Sequence, residues 1–154
     1  MNNCSVCPPR PASSAHTLEI APLSISTLYL YRDQRFRGYC LLLFDTRHAT
    51  GLEELSDAEY NAFMADLRRA VRAIRAAVQP DHMNYECLGN RSPHLHWHLV
   101  PRYRDDPRWG YPIWDGQPFE PRHITLPEGE LEALRDRIND YLMQPPRDAG
   151  PARR

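Results

Sequence analysis

The sequence predicts an α+β domain built on an antiparallel sheet. Three observations lead there. Two strand-like runs joined by a short polar turn open the domain, a long stretch with helical spacing fills the middle, and further apolar runs precede a second amphipathic segment. A chain of 154 residues suits one domain with a real core.

The first strand pair is "STLYLYR" (26–32) and "GYCLLLFD" (38–45), rich in leucine, aromatic and β-branched residues. The polar turn "DQRF" joins them, and Gly38 permits the re-entry. Ahead of them, residues 8–26 are rich in Pro and Ser and read as irregular chain. "SDAEYNAFMADLRRAVRAIRAAV" (56–78) is the clearest helix. Ser56 and Glu59 form a capping box, Pro80 follows the end, and Tyr60, Phe63, Met64, Leu67, Val71 and Ile74 recur at three and four. "MNYECLG" (83–89) and "PHLHWHLVPRY" (93–103) read as strands, and 104–118 as an extended loop. "LPEGELEALRDRINDYL" (126–142) places Leu131, Leu134, Ile138 and Leu142 on one side of a second helix. The expected organisation is an N-terminal arm (1–26), one domain (27–143) and a disordered tail (144–154).

Bulk composition narrows the function. Net charge is −1, so neither nucleic acid nor a bilayer is expected as the main partner. All nineteen basic residues are Arg, which excludes a P-loop lysine and a lysine Schiff base. No apolar run reaches about 18 residues and the N-terminus lacks an apolar signal core, so a cytoplasmic protein is expected. Cys40 and Cys87 lie in apolar runs and are expected to be small core residues. Cys4 and Cys7 form a C-x-x-C pair in a polar leader, where metal or redox chemistry is the reading for a reducing compartment. Redox use is disfavoured, because no strand precedes the pair and no helix starts at it.

The chemistry concentrates in "HLHWHLVPRY" (94–103). On a strand, His94, His96 and His98 share one face and Leu95, Trp97 and Leu99 the other. At about 3.3 Å per residue the outer two histidines are roughly 13 Å apart along the backbone. A zinc ion holds its ligands at about 2 Å, so one metal cannot take all three on a regular strand. Nucleophilic catalysis uses them better: a neutral imidazole, with a pKa of about 6.5, is an available nucleophile at neutral pH. A second histidine two residues on can serve the leaving group. The plain alternative is three solvated histidines on the open side of a half-exposed sheet. A cupin-type metal site on His94 and His96 is disfavoured by the long central helix.

"HLHWHLV" matches H-φ-H-φ-H-φ-φ, with φ apolar, and the longer string "LGNRSPHLHWHLVPRYRDDPRW" resembles bacterial diadenosine-tetraphosphate-hydrolase-like proteins of the histidine triad (HIT) family. The resemblance spans roughly residues 27–115 and implies a HIT-like fold. It also implies a nucleotide hydrolase or nucleotidyl transferase in which His96 attacks an α-phosphorus and a nucleotidyl-histidine forms. His98 then contacts the phosphate and helps protonate the leaving group; a Gln there marks related nucleotidylyltransferases. Asn90 and Ser92, in "GNRSP", are the nearest equivalents of the family's phosphate-binding amide and hydroxyl. Asp33 matches the residue that contacts the ribose. Some relatives hold a structural zinc with an N-terminal C-x-x-C, a histidine after the second core strand and the first triad histidine. The matching set is Cys4, Cys7, His48 and His94. In zinc-free relatives the residue at His48 belongs to the histidine relay instead. No organic cofactor is implied, and a homodimer is. A phosphorylase using phosphate in place of water, and a nucleotide-binding regulatory protein with incidental turnover, stay open as alternatives.

Overall fold

A computed structural model of the chain describes residues 4–114, 116 and 123–145. Five strands form one antiparallel sheet: β1 (Thr17–Pro22), β2 (Ser26–Tyr31), β3 (Cys40–Phe44), β4 (His82–Glu86) and β5 (His96–Arg102). They lie in the order β1-β2-β3-β5-β4. Two helices, α1 (Asp57–Val78) and α2 (Glu128–Met143), complete the α+β architecture the sequence predicts, and Leu52–Glu54 is a single 3₁₀ turn.

Alternation sorts the sheet into two faces. Leu28 and Leu30 on β2, Cys40, Leu42 and Phe44 on β3, and Leu99 on β5 join the main core under α1 and α2. Phe63, Leu67, Ala70, Ile74 and Ala77 supply the α1 side, while Leu131, Leu134, Ile138 and Leu142 supply α2 as their spacing predicts. Tyr60, counted from sequence with the buried stripe, is 43 % exposed at the first turn of α1, and Cys87, expected in the core beside Cys40, is exposed just past the end of β4. The opposite face carries His96, His98 and a second cluster of Phe36, Tyr39 and Val100, flanked by Tyr31 and Leu41. Leu28 and Leu30 therefore point away from the histidine face.

Local chemistry fixes the ends. Ser56 caps α1, accepting from the Glu59 backbone N–H while Glu59 returns the bond. Gly38 enters β3 at φ +87, and its N–H donates to Gln34 Oε1 at 2.8 Å. Buried Asp66 on α1 accepts from the backbone N–H groups of Ser24 and Ile25 and the hydroxyls of Ser24 and Ser26, tying the β1–β2 turn to the helix. Arg102 is also buried, paired with both oxygens of Asp106 at 2.9 Å and donating to Asn84 Oδ1 at 2.6 Å.

Two element boundaries differ from the sequence reading. Residues 17–22, read as irregular from their Pro- and Ser-rich surroundings, form β1, because the β2 edge offers a ladder that composition cannot show. β5 begins at His96 rather than near residue 93. The ladder with β3 ends at the Leu43–His96 pair, after which the Leu95 N–H turns to the Ala49 carbonyl at 2.7 Å. The tail residues 146–154 lie outside the described residues. Among the described residues no helix is long and apolar enough to cross a membrane.

Candidate active site and metal cluster

His96 and His98 lie on one face of β5, with ring centroids 4.7 Å apart. Across the ladder His96 stands opposite Leu43 of β3, and His98 stands between Leu41 of β3 and Glu86 of β4. His96 Nδ1 is 2.6 Å from the His94 carbonyl, which has no proton to give, so Nδ1 carries the hydrogen and donates it. His96 Nε2 and His98 Nε2 are 2.9 Å apart. His98 Nδ1 is 2.6 Å from the Tyr39 hydroxyl. Burial pushes the His98 pKa down to about 4, with His96 adding to the fall, so the ring is neutral at neutral pH.

The surroundings of His98 are aromatic and acidic. Trp114 meets it edge-on with centroids 5.5 Å apart, and the Trp114 indole N–H donates to Glu86. Burial raises the Glu86 pKa against the lowering effect of that bond. Tyr39 is 4 % exposed, and burial raises its phenol far above the ordinary value.

His94 precedes the strand and its ring does not share the face of the other two. Its N–H bonds back to the Ser92 carbonyl at 2.7 Å, a tight bend that turns the side chain toward the N-terminal arm. Its Nε2 donates to the Phe44 carbonyl at 2.7 Å, which leaves Nδ1 as a lone pair. That lone pair faces Cys4 Sγ at 3.7 Å and Cys7 Sγ at 3.5 Å, and His48 Nδ1 lies 3.5 Å from Cys7 Sγ. One donor atom from each of Cys4, Cys7, His48 and His94 falls within 4.8 Å of the others. Zinc bonds of about 2.0–2.3 Å in a tetrahedron place neighbouring ligands about 3.3–3.8 Å apart, so the donor set fits a closed zinc site. The bond from His94 to Phe44 is the outer contact such a ligand needs.

Asn90 and Ser92 sit exposed on the turn before His94, with Gly89 at φ +72. Asp33 is buried. Its carboxylate accepts from the Arg35 backbone and Nε and from the Ile124 N–H, and lies 3.1 Å from His123 Nδ1. Those oxygens are engaged in closing the turn after β2 onto the segment before α2.

Two contributors escaped the sequence reading. Tyr39 looks like one more aromatic in a strand, and only the pairing of β3 with β5 brings its hydroxyl to His98. Arg10 pins the arm that carries the cysteines: it donates to the Val6 carbonyl at 2.7 Å and to the Tyr29 hydroxyl at 3.3 Å, and pairs with Asp45. Its signal, a lone Arg in a proline-rich leader, is indistinguishable from a solvated charge.

The fold has counterparts in solved structures. A histidine triad protein from Sinorhizobium meliloti is 21 % identical, superposes with a TM-score of 0.73, and shares 82 % of this chain and 90 % of its own. One from Bradyrhizobium japonicum is 23 % identical, also at 0.73, over 86 % of this chain and 99 % of its own. A zinc-bound histidine triad family protein from Mycobacterium smegmatis is 22 % identical, with a TM-score of 0.55, over 82 % and 86 % of the two chains. These likenesses establish the HIT-like fold. No curated protein matches the chain at a significant level. The profile of the HIT domain matches residues 25–105, just over half of the chain and the whole run from β2 to the end of β5. On that match, the chain belongs to the HIT family.

Proposed function

We propose that the protein is a nucleotide hydrolase or nucleotidyl transferase that cleaves at the α-phosphorus of nucleoside 5′-monophosphate derivatives, with His96 as the nucleophile. The observation behind this reading is the hydrogen bond from His96 Nδ1 to the His94 carbonyl. It leaves the Nε2 lone pair as the reactive atom and fixes its direction beside His98. In the first step that lone pair forms a bond to phosphorus while the bond to the leaving oxygen or nitrogen breaks. The His98 Nε2–H hydrogen-bonds the departing atom, which leaves as a phosphate anion or as an amine that has taken its proton from solvent. Water then attacks the nucleotidyl-His96, releasing the nucleoside monophosphate and regenerating the imidazole.

Asn90 and Ser92, exposed on the turn beside the strand, would donate to the phosphoryl oxygens. A ribose contact by Asp33 would require its carboxylate to exchange an internal donor for a sugar hydroxyl. Dinucleoside polyphosphates and nucleoside phosphoramidates are the substrate classes of this reading, the former those of the diadenosine-tetraphosphate-hydrolase-like branch that the sequence resembles.

Cys4, Cys7, His48 and His94 are assigned to a structural zinc, which would tie the N-terminal arm to the loop that leads into β5. Supporting this are the fit of the donor distances, the orientation of His94 Nδ1 and the zinc-bound relative. His48 then serves the metal and is not available to a histidine relay. A cytoplasmic setting would keep both thiols reduced for it. A homodimer is part of the same reading. Among the described residues the edge strand β4 pairs with β5 alone, and Tyr85 on it is 49 % exposed.

The test is turnover of diadenosine polyphosphates and of adenosine phosphoramidate by wild type and His96→Ala, with and without inorganic phosphate. Wild type should release AMP and form a trappable adenylyl-protein, both lost in the variant. Equal release by the two proteins refutes the nucleophile, and nucleoside diphosphate made only with phosphate present identifies a phosphorylase.

A further inference from the structure

The hydrogen bonds on the histidine face admit one proton order when the rings are neutral. His96 Nδ1 donates to a carbonyl, so His96 Nε2 is a lone pair. The hydrogen between the two Nε2 atoms, 2.9 Å apart, therefore sits on His98. A neutral His98 with its proton on Nε2 has a bare Nδ1, and the Tyr39 hydroxyl 2.6 Å away donates to it. Reversing the last bond would put a proton on His98 Nδ1 and leave two lone pairs facing each other between the rings.

We propose that Tyr39 is a positioning residue: its hydroxyl, donated to His98 Nδ1, holds His98 in the Nε2–H tautomer and aims that hydrogen at the atom that leaves. The inference rests on the reading of His96 as the nucleophile, and deepens it.

The fold makes Tyr39 a fixed point. It is 4 % exposed and packs in the cluster with Phe36 and Val100, its ring centroid 4.9 Å from that of Tyr31. Its N–H donates to the Phe36 carbonyl and its carbonyl accepts from the Tyr31 N–H, both at 2.9 Å. Burial keeps the phenol protonated and the His98 ring neutral, the two states the bond requires. The hydroxyl keeps its proton throughout, so Tyr39 orients and transfers nothing.

One consequence concerns the free enzyme. There the His98 hydrogen occupies the lone pair of His96 and masks the nucleophile. A substrate oxygen or nitrogen that draws the hydrogen to itself frees the lone pair in the same exchange. Without the hydroxyl, His98 can move its proton to Nδ1, and the donor that assists departure is lost.

The experiment uses Tyr39→Phe, which keeps the packed ring. Long-range ¹H–¹⁵N correlation spectra of the histidines, recorded on the 154-residue chain, report each tautomer without substrate. Wild-type His98 should be protonated on Nε2 and bare on Nδ1, with the Nδ1–H form appearing in Tyr39→Phe. With adenosine phosphoramidate, kcat should fall about ten- to a hundredfold while KM stays within about threefold. Wild-type His98 carrying its proton on Nδ1 overturns the proposal. So does a Tyr39→Phe protein with His98 still wholly Nε2–H and kcat within about twofold of wild type. If wild type turns over no nucleotide while the tautomers follow the prediction, the hydrolase reading falls and the orienting bond stands.

Discussion

His94 holds His96 by its backbone while its own ring faces the other way. The carbonyl of His94 takes the Nδ1 hydrogen of His96 at 2.6 Å, and the His94 imidazole turns to Cys4 and Cys7. One residue thus joins the Cys4, Cys7 and His48 cluster to the proposed nucleophile without placing its side chain in the proposed reaction. A metal at His94 would restrain the peptide that aims His96, and the chemistry itself would not pass through it.

The metal prediction follows from that arrangement. Cys4→Ser removes one of four donors, and zinc affinity should drop by more than about tenfold. Purified wild type should contain about one equivalent of zinc and the variant well under half, by elemental analysis. The thermal midpoint should fall with it. Nucleotide turnover should persist at a reduced level, because Arg10 still pins the arm through Val6, Tyr29 and Asp45. Undiminished zinc in the variant would remove Cys4 from the site. Turnover abolished by chelation of a protein that stays folded would make the metal catalytic.

Asp66 carries a different kind of weight. Its buried carboxylate satisfies two backbone N–H groups and two hydroxyls of the β1–β2 turn. Asp66→Ala strands all four donors, and stability to urea should fall by about 3 kcal/mol. The KM for nucleotide should not change, since the turn packs on the helix-covered side of the sheet. A loss under about 1 kcal/mol would mean that water replaces the carboxylate and that the turn does not depend on it.

The sequence makes periodic features legible and leaves paired ones dark. Both helices, the capping box of α1 and the four core strands follow from spacing and turn chemistry, whereas the grouping of Cys4, Cys7, His48 and His94 comes from the family resemblance. β1 escapes because an edge strand borrows its order from a neighbour, not from its own composition. Strict alternation also groups His94 with His96 and His98, whereas the end of the β3 ladder bends the chain at His94 and separates them. Asp66 reads as one more charge on an amphipathic helix, and Tyr39 as one more strand aromatic. The role of each depends on which strand lies beside which, and a local pattern does not encode that.

Gly38 should tolerate no side chain. It sits at φ +87, and a Cβ there would come within 2.9 Å of Val78 Cγ2 and 3.3 Å of Pro101 Cγ. Strain and contact together put the cost of Gly38→Ala at about 2–3 kcal/mol, seen as a lower urea midpoint at unchanged slope. Because Tyr39 follows directly, the variant should also disturb the His98 tautomer in the ¹H–¹⁵N spectrum. Wild-type stability in Gly38→Ala would show that the turn can relax without leaving β3.

The His98 pKa is lowered by burial, and further by His96, to about 4, while an unfolded histidine titrates at about 6.5. Between those values the unfolded chain binds the proton and the folded one does not, so stability falls as pH drops through this window and levels off below it. The groups facing His98 are His96 on its own strand, Tyr39 ahead of β3, and Glu86 on β4 with Trp114 bonded to it. A full shift of this size is worth about 3 kcal/mol, and partial solvent contact brings the expected share to about 2 kcal/mol. Other groups titrate in the same range, so the measurement is a difference: urea unfolding of wild type and His98→Gln at pH 7.5 and pH 4.5. Wild type should lose about 2 kcal/mol more than the variant between the two pH values. Equal losses would mean that His98 accepts its proton in the folded protein as readily as in the unfolded chain, and that the hydrogen-bonded face opens before it charges.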